Sequence, residues 1–349
     1  MRIGVVGYGT GGRHFHVPFI QAARGVELAG IVARAPETVA RVKADLPDTP
    51  IFPSLAAMLQ AGVDAVTITT PPQTRRDLVL EAVAARVHVI ADKPFAPSAE
   101  EGLRLATAAQ AKGVVLAVFH NRRWDADVCT LKAVLDSGRL GKIWRLHSRM
   151  EQDDPATFEA GPTGGLLRDL GSHVVDQALW LLGPVHSVDA QLDMIDMPEG
   201  ATDAGFCLTL RHTSGVHSHI SASKLNRVAI REFRAYGENG SYISSTTDIQ
   251  AQDIFAGRRP VDDLAGWGYE PEANWGWLRT RTGEERVPSE QGRYHDYYEA
   301  FARAIQTGNA PPVTAQEAIA TLAVLDAARE SAVTGVTVPV RSWTVPTST

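Results

Sequence analysis

A glycine-rich turn near the start of the chain constrains its fold more than any other segment. The turn has the pattern G-x-G-x-x-G and directly follows the apolar run at residues 2–7. Between a strand and a helix, the first glycine permits the tight turn, the second lets the backbone approach a pyrophosphate, and the third lets helix and strand pack closely. The turn therefore predicts a dinucleotide-binding unit, and its residues are Gly7, Tyr8, Gly9, Thr10, Gly11 and Gly12.

Strand and helix signals alternate up to about residue 120. Such alternation is typical of βαβ units and a doubly wound parallel sheet. We therefore predict a Rossmann domain over residues 1–120. The predicted strands are 2–7, 26–33, 65–70, 87–91 and 114–119, and the predicted helices are 16–24, 36–44, 75–85 and 99–112.

The pattern changes beyond residue 121. Strand signals follow one another without helices between them, which favours a largely antiparallel sheet. We predict a second, α+β domain over residues 121–349. Its predicted strands are 187–192, 205–211, 216–223, 231–236 and 241–245, and its predicted helices are 126–137, 172–182, 294–307 and 315–334.

Composition argues against several classes of protein. The formal net charge of -6 leaves no basic stripe of the kind that binds nucleic acid. No apolar run approaches the ~20 residues that cross a membrane, and the first residues enter a strand, so we expect a cytoplasmic protein. The chain has two cysteines, Cys129 and Cys207, which predict no disulfide framework and are expected to pack as small apolar groups.

The ends of two predicted strands suggest further cofactor contacts. Enzymes that use NAD usually place an acid after the second strand, whereas this chain has Ala33 and Arg34 there. Because Arg34 could pair with a 2′-phosphate, we predict a preference for NADP(H), with NAD(H) or a merely solvated Arg34 as alternatives. Thr70 and Pro71 follow the third strand and are expected to line the cofactor crevice, since ligands bind at the carboxyl ends of such strands.

Two later segments hold candidates for chemistry. Lys93 follows the fourth strand, where it could polarise a substrate oxygen, and Pro94 restricts its backbone to extended geometry. Asp169 and His173 are four residues apart, so on a helix they share a face, and a histidine beside a carboxylate suits acid–base catalysis. A solvated lysine and a packed Asp–His pair are the alternatives. No metal site is predicted, because zinc would need a third protein ligand.

In this order the three segments resemble the Gfo/Idh/MocA family of oxidoreductases over nearly the whole chain. Asp92-Lys93-Pro94 resembles the family's E-K-P, and residues 164–173 fit G-G-x-x-x-D-x-x-x-H. The resemblance implies that Lys93 holds and acidifies the reacting hydroxyl, that His173 is its base, and that Asp169 anchors a substrate hydroxyl. It also implies an open mixed sheet in the second domain and a homodimer or homotetramer.

Residues 120–125 resemble the F/Q-N-R-R-W-D segment of a subgroup of the family, the NADP-dependent scyllo-inositol dehydrogenases and related sugar or cyclitol oxidoreductases. Asn121, Arg122 and Trp124 are therefore expected to contact substrate, with core packing as the alternative for Trp124. Arg75 stands where the family often has histidine, and Asp92 replaces its usual glutamate. The aromatic segment 266–277 could cover the pocket, contact another subunit or form a packed loop.

The resemblance implies reversible hydride transfer between a nicotinamide and a secondary alcohol of a small cyclitol or sugar. Two alternatives stay open. The first is a redox-neutral glycoside hydrolase that keeps a tightly held NAD, as in some family members. The second is a non-catalytic NAD(P)-binding protein, for which we would expect the Lys93, Asp169 and His173 set to be broken.

Overall fold

The computed structural model describes residues 1–161, 164–246 and 248–346. The first part of the chain forms a parallel sheet of six strands in the order β3-β2-β1-β4-β5-β6, flanked by helices α1 to α5. The strands are β1 (Arg2–Val6), β2 (Glu27–Val32), β3 (Ile51–Phe52), β4 (Ala65–Ile68), β5 (His88–Asp92) and β6 (Leu116–Phe119). The helices are α1 (Val17–Ala22), α2 (Pro36–Asp45), α3 (Leu55–Gln60), α4 (Pro72–Ala84) and α5 (Ala99–Ala111).

The predicted doubly wound parallel sheet is confirmed. Strands β1 and β4 at the centre of the sheet are buried almost throughout, as expected for strands covered on both faces. The predicted helix at 16–24 differs in detail, because a π-helical turn, Gly11–His16, precedes α1. The short elements β3 and α3 were not predicted, although Ser54 caps α3 by accepting a hydrogen bond from the Ala57 N–H.

The rest of the described chain contains a second, mixed sheet of nine strands in the order β14-β13-β12-β11-β7-β10-β9-β8-β15. Only β7 and β10 pair in parallel within it, so the largely antiparallel mixed sheet is confirmed. The strands are β7 (Ile143–Glu151), β8 (Val185–Ile195), β9 (Thr202–His212), β10 (His217–Ser223), β11 (Ile230–Gly237), β12 (Gly240–Thr246), β13 (Gly276–Thr280), β14 (Gly283–Val287) and β15 (Val338–Pro339). The helices are α6 (Ala126–Asp136), α7 (Leu166–Leu182), α8 (Ile249–Phe255), α9 (His295–Thr307) and α10 (Ala315–Thr334).

Three differences from the predicted elements affect the site. Helix α8 was not predicted, although its Ala251 and Phe255 border the site. Strand β7 was not predicted, yet it lies at the centre of the second sheet between β11 and β10. Its outward positions are polar and one of its inward positions is Ser148, so the apolar alternation is weak. Helix α7 begins at Leu166, six residues before the predicted start, and this places Asp169 in its first turn.

The last long helix ties the two sheets together. Helix α10 packs against α5 of the first part and against α7 and β8 of the second. Its Asp326 carboxylate accepts a hydrogen bond from the Ala99 N–H at the start of α5, at 2.9 Å. The division of the chain at residue 120 and the oligomeric state stay predictions.

Three further observations bear on the composition analysis. Among the described residues, no helix is both long and apolar enough to span a membrane. Both cysteines are free thiols, and Cys129 is half-buried with its pKa raised to about 12 by burial. The expectation that both pack inside is wrong for Cys207, which is exposed on β9.

A buried cluster of charges joins the segment after β6 to the second sheet. Arg231 on β11 donates hydrogen bonds to Asp125 and Asp127, and Arg122 pairs with Asp125 and Asp248. The Arg231 side chain is only 8% exposed, so its charge depends on these carboxylates rather than on water. The cluster fixes residues 121–125, which lead from the first sheet into the site.

We expect the Arg231→Met variant to be destabilised by about 3–5 kcal/mol, because it removes the buried cation that Asp125 and Asp127 share, although Arg122 still pairs with Asp125. The free energy of unfolding in urea measures the loss. The matched control is Arg234→Met on the same strand. Arg234 pairs with Glu232 near the surface, so this change should cost less than about 1 kcal/mol. Equal stability of the two variants would contradict the assignment.

Candidate active site

Three adjoining cavities form one cleft along the carboxyl ends of the first sheet's strands. An outer cavity of about 710 Å³ and a middle cavity of about 600 Å³ share Gly7, Gly9 and Thr70. The middle cavity shares Lys93 and Asp169 with an inner cavity of about 640 Å³, which reaches the second sheet. A cleft at this edge of a doubly wound sheet is where a dinucleotide binds.

The glycine turn has the geometry that a pyrophosphate needs. Gly7 has a φ of +102°, which side-chain-bearing residues rarely adopt, and a Cβ on Gly12 would lie 2.3 Å from the Gly7 carbonyl oxygen. Gly12 therefore serves helix–strand packing and does not itself line the cavities. A Cβ on Gly9 would meet no atom within 4 Å, because this residue borders the open middle and outer cavities. Thr10 and Gly11 line the neighbouring wall, so the turn fits a dinucleotide.

The outer cavity brings together the residues predicted to contact the ribose. It is lined by Ala33 and Arg34 after β2, and by Thr38 and Arg41 on α2. Arg34 is exposed at the cavity wall, and the carboxylates of this cavity come from α4 instead of the end of β2. An exposed guanidinium in a cavity that a second arginine also lines suits a phosphate group.

Tyr8 also lines the outer cavity, but its hydroxyl is engaged elsewhere. It donates to the Asp45 carboxylate at 3.1 Å, and Arg13 holds the same carboxylate at 2.6 Å. Burial and the Asp45 charge raise the pKa of Tyr8 to about 12, so the phenol stays protonated. Thr70 and Pro71 line the middle cavity.

Lys93 is aimed into the cleft by two neighbours. The backbone N–H of Lys93 donates to the Asp92 carboxylate at 2.8 Å. Burial would raise the pKa of Asp92, but His16, Arg75 and Lys93 outweigh it and lower that pKa to about 2. The buried Arg75 guanidinium donates to the Pro94 and Thr70 carbonyl oxygens. Arg75 thus links the loop that holds Lys93 to the loop after β4. The family often has histidine at this sequence position.

Asp169 is held between two lysines. Its Oδ1 accepts a hydrogen bond from the Lys93 Nζ at 2.8 Å, and its Oδ2 accepts one from the Lys224 Nζ at 2.6 Å. Burial would raise the pKa of Asp169, but the two ammonium groups lower it well below its usual range. Asp169 is therefore a fixed anion. The predicted Asp169–His173 pair is instead a Lys93–Asp169–Lys224 cluster with His173 beside it.

His173 lies one turn further along α7 and lines the inner cavity. Among the described residues, its buried Nδ1 has no hydrogen-bond partner. Burial first, and the Lys93 and Arg122 charges second, lower the pKa of His173 well below 6.5. The imidazole is therefore neutral near pH 7 and can accept a proton.

The start of α7 is fixed by a contact that requires glycine. Gly165 has a φ of +89°, and a Cβ there would lie 2.0 Å from the Asp203 Oδ1. The same Asp203 carboxylate accepts a hydrogen bond from the Leu167 N–H in the first turn. Gly165 thus makes room for a carboxylate of the second sheet, whereas Gly164 packs against the Glu159 carbonyl oxygen. The Asp203 contact sets the direction of Asp169 in the first turn of α7.

The three residues predicted to contact substrate are placed differently from one another. Asn121 and Arg122 line the inner cavity. The Arg122 charge is already matched by Asp125 and Asp248. Trp124 is not among the residues that line the inner cavity, and it packs edge-on against Tyr297 with ring centroids 5.5 Å apart. Core packing, the alternative for Trp124, describes it better than stacking on a sugar.

The aromatic segment 266–277 lies away from the three cavities. Trp267 is buried, and its indole N–H donates to the Gln250 Oε1 at 3.1 Å. Trp275 donates to the Glu270 carbonyl oxygen at 3.2 Å. Of the three alternatives, the packed loop agrees with these contacts.

Comparison with known proteins agrees with the fold. A family model described as "Oxidoreductase family, NAD-binding Rossmann fold" matches residues 1–120, and the "GFO/IDH/MocA C-terminal domain" matches residues 128–243. This protein belongs to the Gfo/Idh/MocA family, and it is an NAD(P)-dependent oxidoreductase.

Individual relatives differ in the cofactor that their names give. The chain is 32% identical over 341 residues to the Bacillus subtilis scyllo-inositol 2-dehydrogenase (NADP(+)) IolW, covering 95% of this chain and 93% of the relative. It is 27% identical over 282 residues to scyllo-inositol 2-dehydrogenase (NAD(+)) of the same organism, covering 77% and 75%. The solved structure of the Bacillus subtilis oxidoreductase yvaA superposes with a TM-score of 0.88 at 31% identity, covering 97% and 98%.

We expect the His173 ring to take up a proton only well below pH 6.5. Since its pKa in the folded protein is lower than in the unfolded chain, protonation of this group removes stability as the pH falls below about 6.5. Nitrogen-15 histidine NMR measures the midpoint, with His173→Asn to assign the signal. A midpoint at or above 6.5 would contradict the neutral imidazole.

Proposed function

We propose that this enzyme transfers hydride reversibly between NADP and a secondary alcohol of a cyclitol or sugar. The observation that carries the proposal is the joint position of Lys93, Asp169 and neutral His173. All three line the inner cavity, and the first two also line the middle cavity beside the glycine turn. A nicotinamide ring reaching inward from that turn and a substrate in the inner cavity would meet at these residues.

Proton transfer is the part of the reaction that the chain's own residues perform. In oxidation, the Lys93 ammonium holds the reacting oxygen and stabilises the negative charge that develops on it. His173 accepts the hydroxyl proton, and in reduction it returns that proton to the oxygen. Asp169 keeps Lys93 in place through the 2.8 Å hydrogen bond. The bound nicotinamide supplies the hydride chemistry.

The charges of the inner cavity favour a neutral polyhydroxylated substrate. Lys93 and Lys224 share Asp169, and Arg122 is matched by Asp248 and Asp125. A substrate carboxylate or phosphate would have to compete with these protein carboxylates for every cation named. Hydroxyl groups can donate to the carboxylates and accept from the ammonium groups, which suits the polyols named for the inositol-dehydrogenating relatives.

A spectrophotometric screen at 340 nm tests the proposed reaction. The purified protein receives NADP or NAD with a panel of inositols, aldoses and anhydrosugars, and NADPH or NADH with the matching ketones. A change in absorbance with NADP and one cyclitol or sugar is the expected result. No change in absorbance with any compound of the panel, with NAD(H) retained by the purified protein, would overturn the proposal and favour the redox-neutral glycoside hydrolase.

Replacing Lys93 by Met or His173 by Asn should lower kcat by roughly 10²- to 10⁴-fold, because each change removes a group that holds or moves the proton. Steady-state kinetics with the substrate found in the screen measures the loss. Lys112→Met, an exposed lysine at the end of α5, is the control and should keep its turnover. Near-normal kcat in either site variant would remove that residue from the mechanism.

Replacing Arg34 by Ser should lower kcat/KM for NADPH about 10- to 100-fold, the range for a lost hydrogen bond to a charged group. The value for NADH should change less than about threefold, since NADH has no 2′-phosphate. The ratio of the two efficiencies is the measurement. A wild-type ratio of NADPH to NADH well below one, or a variant that loses both cofactors equally, would overturn the preference for NADP(H).

A further inference from the structure

Lys224 is a buried lysine that sequence analysis did not single out. It follows the last residue of β10, and its side chain is 5% exposed. Its Nζ donates to the Asp169 Oδ2 at 2.6 Å and to the Thr157 carbonyl oxygen at 3.2 Å. It lines the inner cavity together with Lys93 and His173.

The ammonium groups of Lys93 and Lys224 have N–H donors left for a ligand. An ammonium has three N–H donors and accepts nothing. Within the described residues, Lys224 has two acceptors, and Lys93 also has two, the Asp169 Oδ1 and the Asp169 carbonyl oxygen. Each lysine therefore keeps one N–H for a group in the inner cavity.

The two lysines share one carboxylate. Within the described residues Asp169 is the carboxylate that pairs with each of them, and the Asp92 carboxylate adds a further negative charge near Lys93. Among these residues the two ammonium groups therefore lack a third hydrogen-bond acceptor each rather than a counter-ion, and hydroxyl oxygen atoms of a neutral substrate can supply both.

The shape of the bound carboxylate indicates the ligand. Lys93 and Lys224 hold opposite oxygens of Asp169, so they are spaced to receive two oxygen atoms on one small group. Hydroxyls on adjacent carbons also present two neighbouring oxygens, and they can bridge the same two ammonium groups from the cavity side.

We propose that Lys224 binds the hydroxyl on the carbon next to the reacting carbon, so that the enzyme selects vicinal diols. The inference rests on the proposed function, which places the reacting oxygen on Lys93. It makes Lys224 a substrate-binding and specificity-determining residue and the inner cavity a site for a diol rather than for a lone alcohol.

The test compares two substrates in four proteins. The substrates are the polyol that the wild-type enzyme turns over fastest, with scyllo-inositol tried first, and its analogue without hydroxyls on the carbons next to the reacting one. The proteins are the wild type, Lys224→Met, Lys224→Arg and the exposed-lysine control Lys112→Met.

For the diol, Lys224→Met should lower kcat/KM about 10- to 100-fold, mainly through KM, as for a lost hydrogen bond to a charged group. For the analogue the loss should stay below about threefold. Lys224→Arg keeps the charge and should recover part of the preference, and Lys112→Met should match the wild type.

Lys224 also donates to the Thr157 carbonyl oxygen in the wall of the inner cavity. The test must therefore distinguish binding of the substrate from a purely structural role in support of this wall. Equal losses on both substrates in Lys224→Met would show that role and overturn the inference alone. A wild-type enzyme that does not prefer the diol would overturn it without any variant, which covers the case of a variant that does not fold. If the wild-type enzyme turns over none of the polyols, the proposed function is overturned, and this inference with it.

Discussion

The site depends on one carboxylate held by two lysines from different parts of the molecule. Lys93 comes from the end of β5 in the parallel sheet, Lys224 from the end of β10 in the mixed sheet, and Asp169 from the first turn of α7. Because Asp169 bonds to both, it fixes the cleft's edge to the wall of the inner cavity. Any shift between these elements would break a charged hydrogen bond in a buried place, where such a bond is strongest.

The same cluster sets the protonation states around it. Two cations on one carboxylate keep Asp169 ionised, while burial first, and the Lys93 and Arg122 charges second, lower the pKa of His173 and keep its imidazole neutral. A neutral imidazole next to a lysine is the arrangement in which one residue can receive a proton while the other stabilises the oxygen that loses it. The protonation state of the proposed base, His173, is thus set by burial and by neighbouring cations rather than by a carboxylate of its own.

Local sequence signals predicted the parts of the fold that depend on neighbouring residues. The glycine turn, five of the six strands of the parallel sheet and helix α10 were predicted from local patterns of the sequence, whereas the two-residue strand β3 was not. Strand β7 was missed because its exposed face is charged and its buried face includes Ser148. The early start of α7 was missed because it depends on a hydrogen bond to Asp203, which lies on β9, distant in the sequence.

The site was predictable to the extent that its residues lie in motifs. Lys93, Asp169 and His173 stand in such motifs and meet in the inner cavity. Lys224 stands in an ordinary segment, and its importance comes from contact with a residue 55 positions away. The Trp124 ring packs against Tyr297, a contact that its motif did not predict, so its proposed contact with substrate stays a prediction.

The central claim is direct hydride transfer from the carbon that carries the reacting hydroxyl. A substrate deuterated at that carbon, incubated with NADP and the enzyme, tests it most directly, with mass spectrometry and NMR of the recovered cofactor. The account predicts one deuterium at C4 of the nicotinamide for each ketone formed. Unlabelled cofactor, or product formed with no net NADPH, would contradict it.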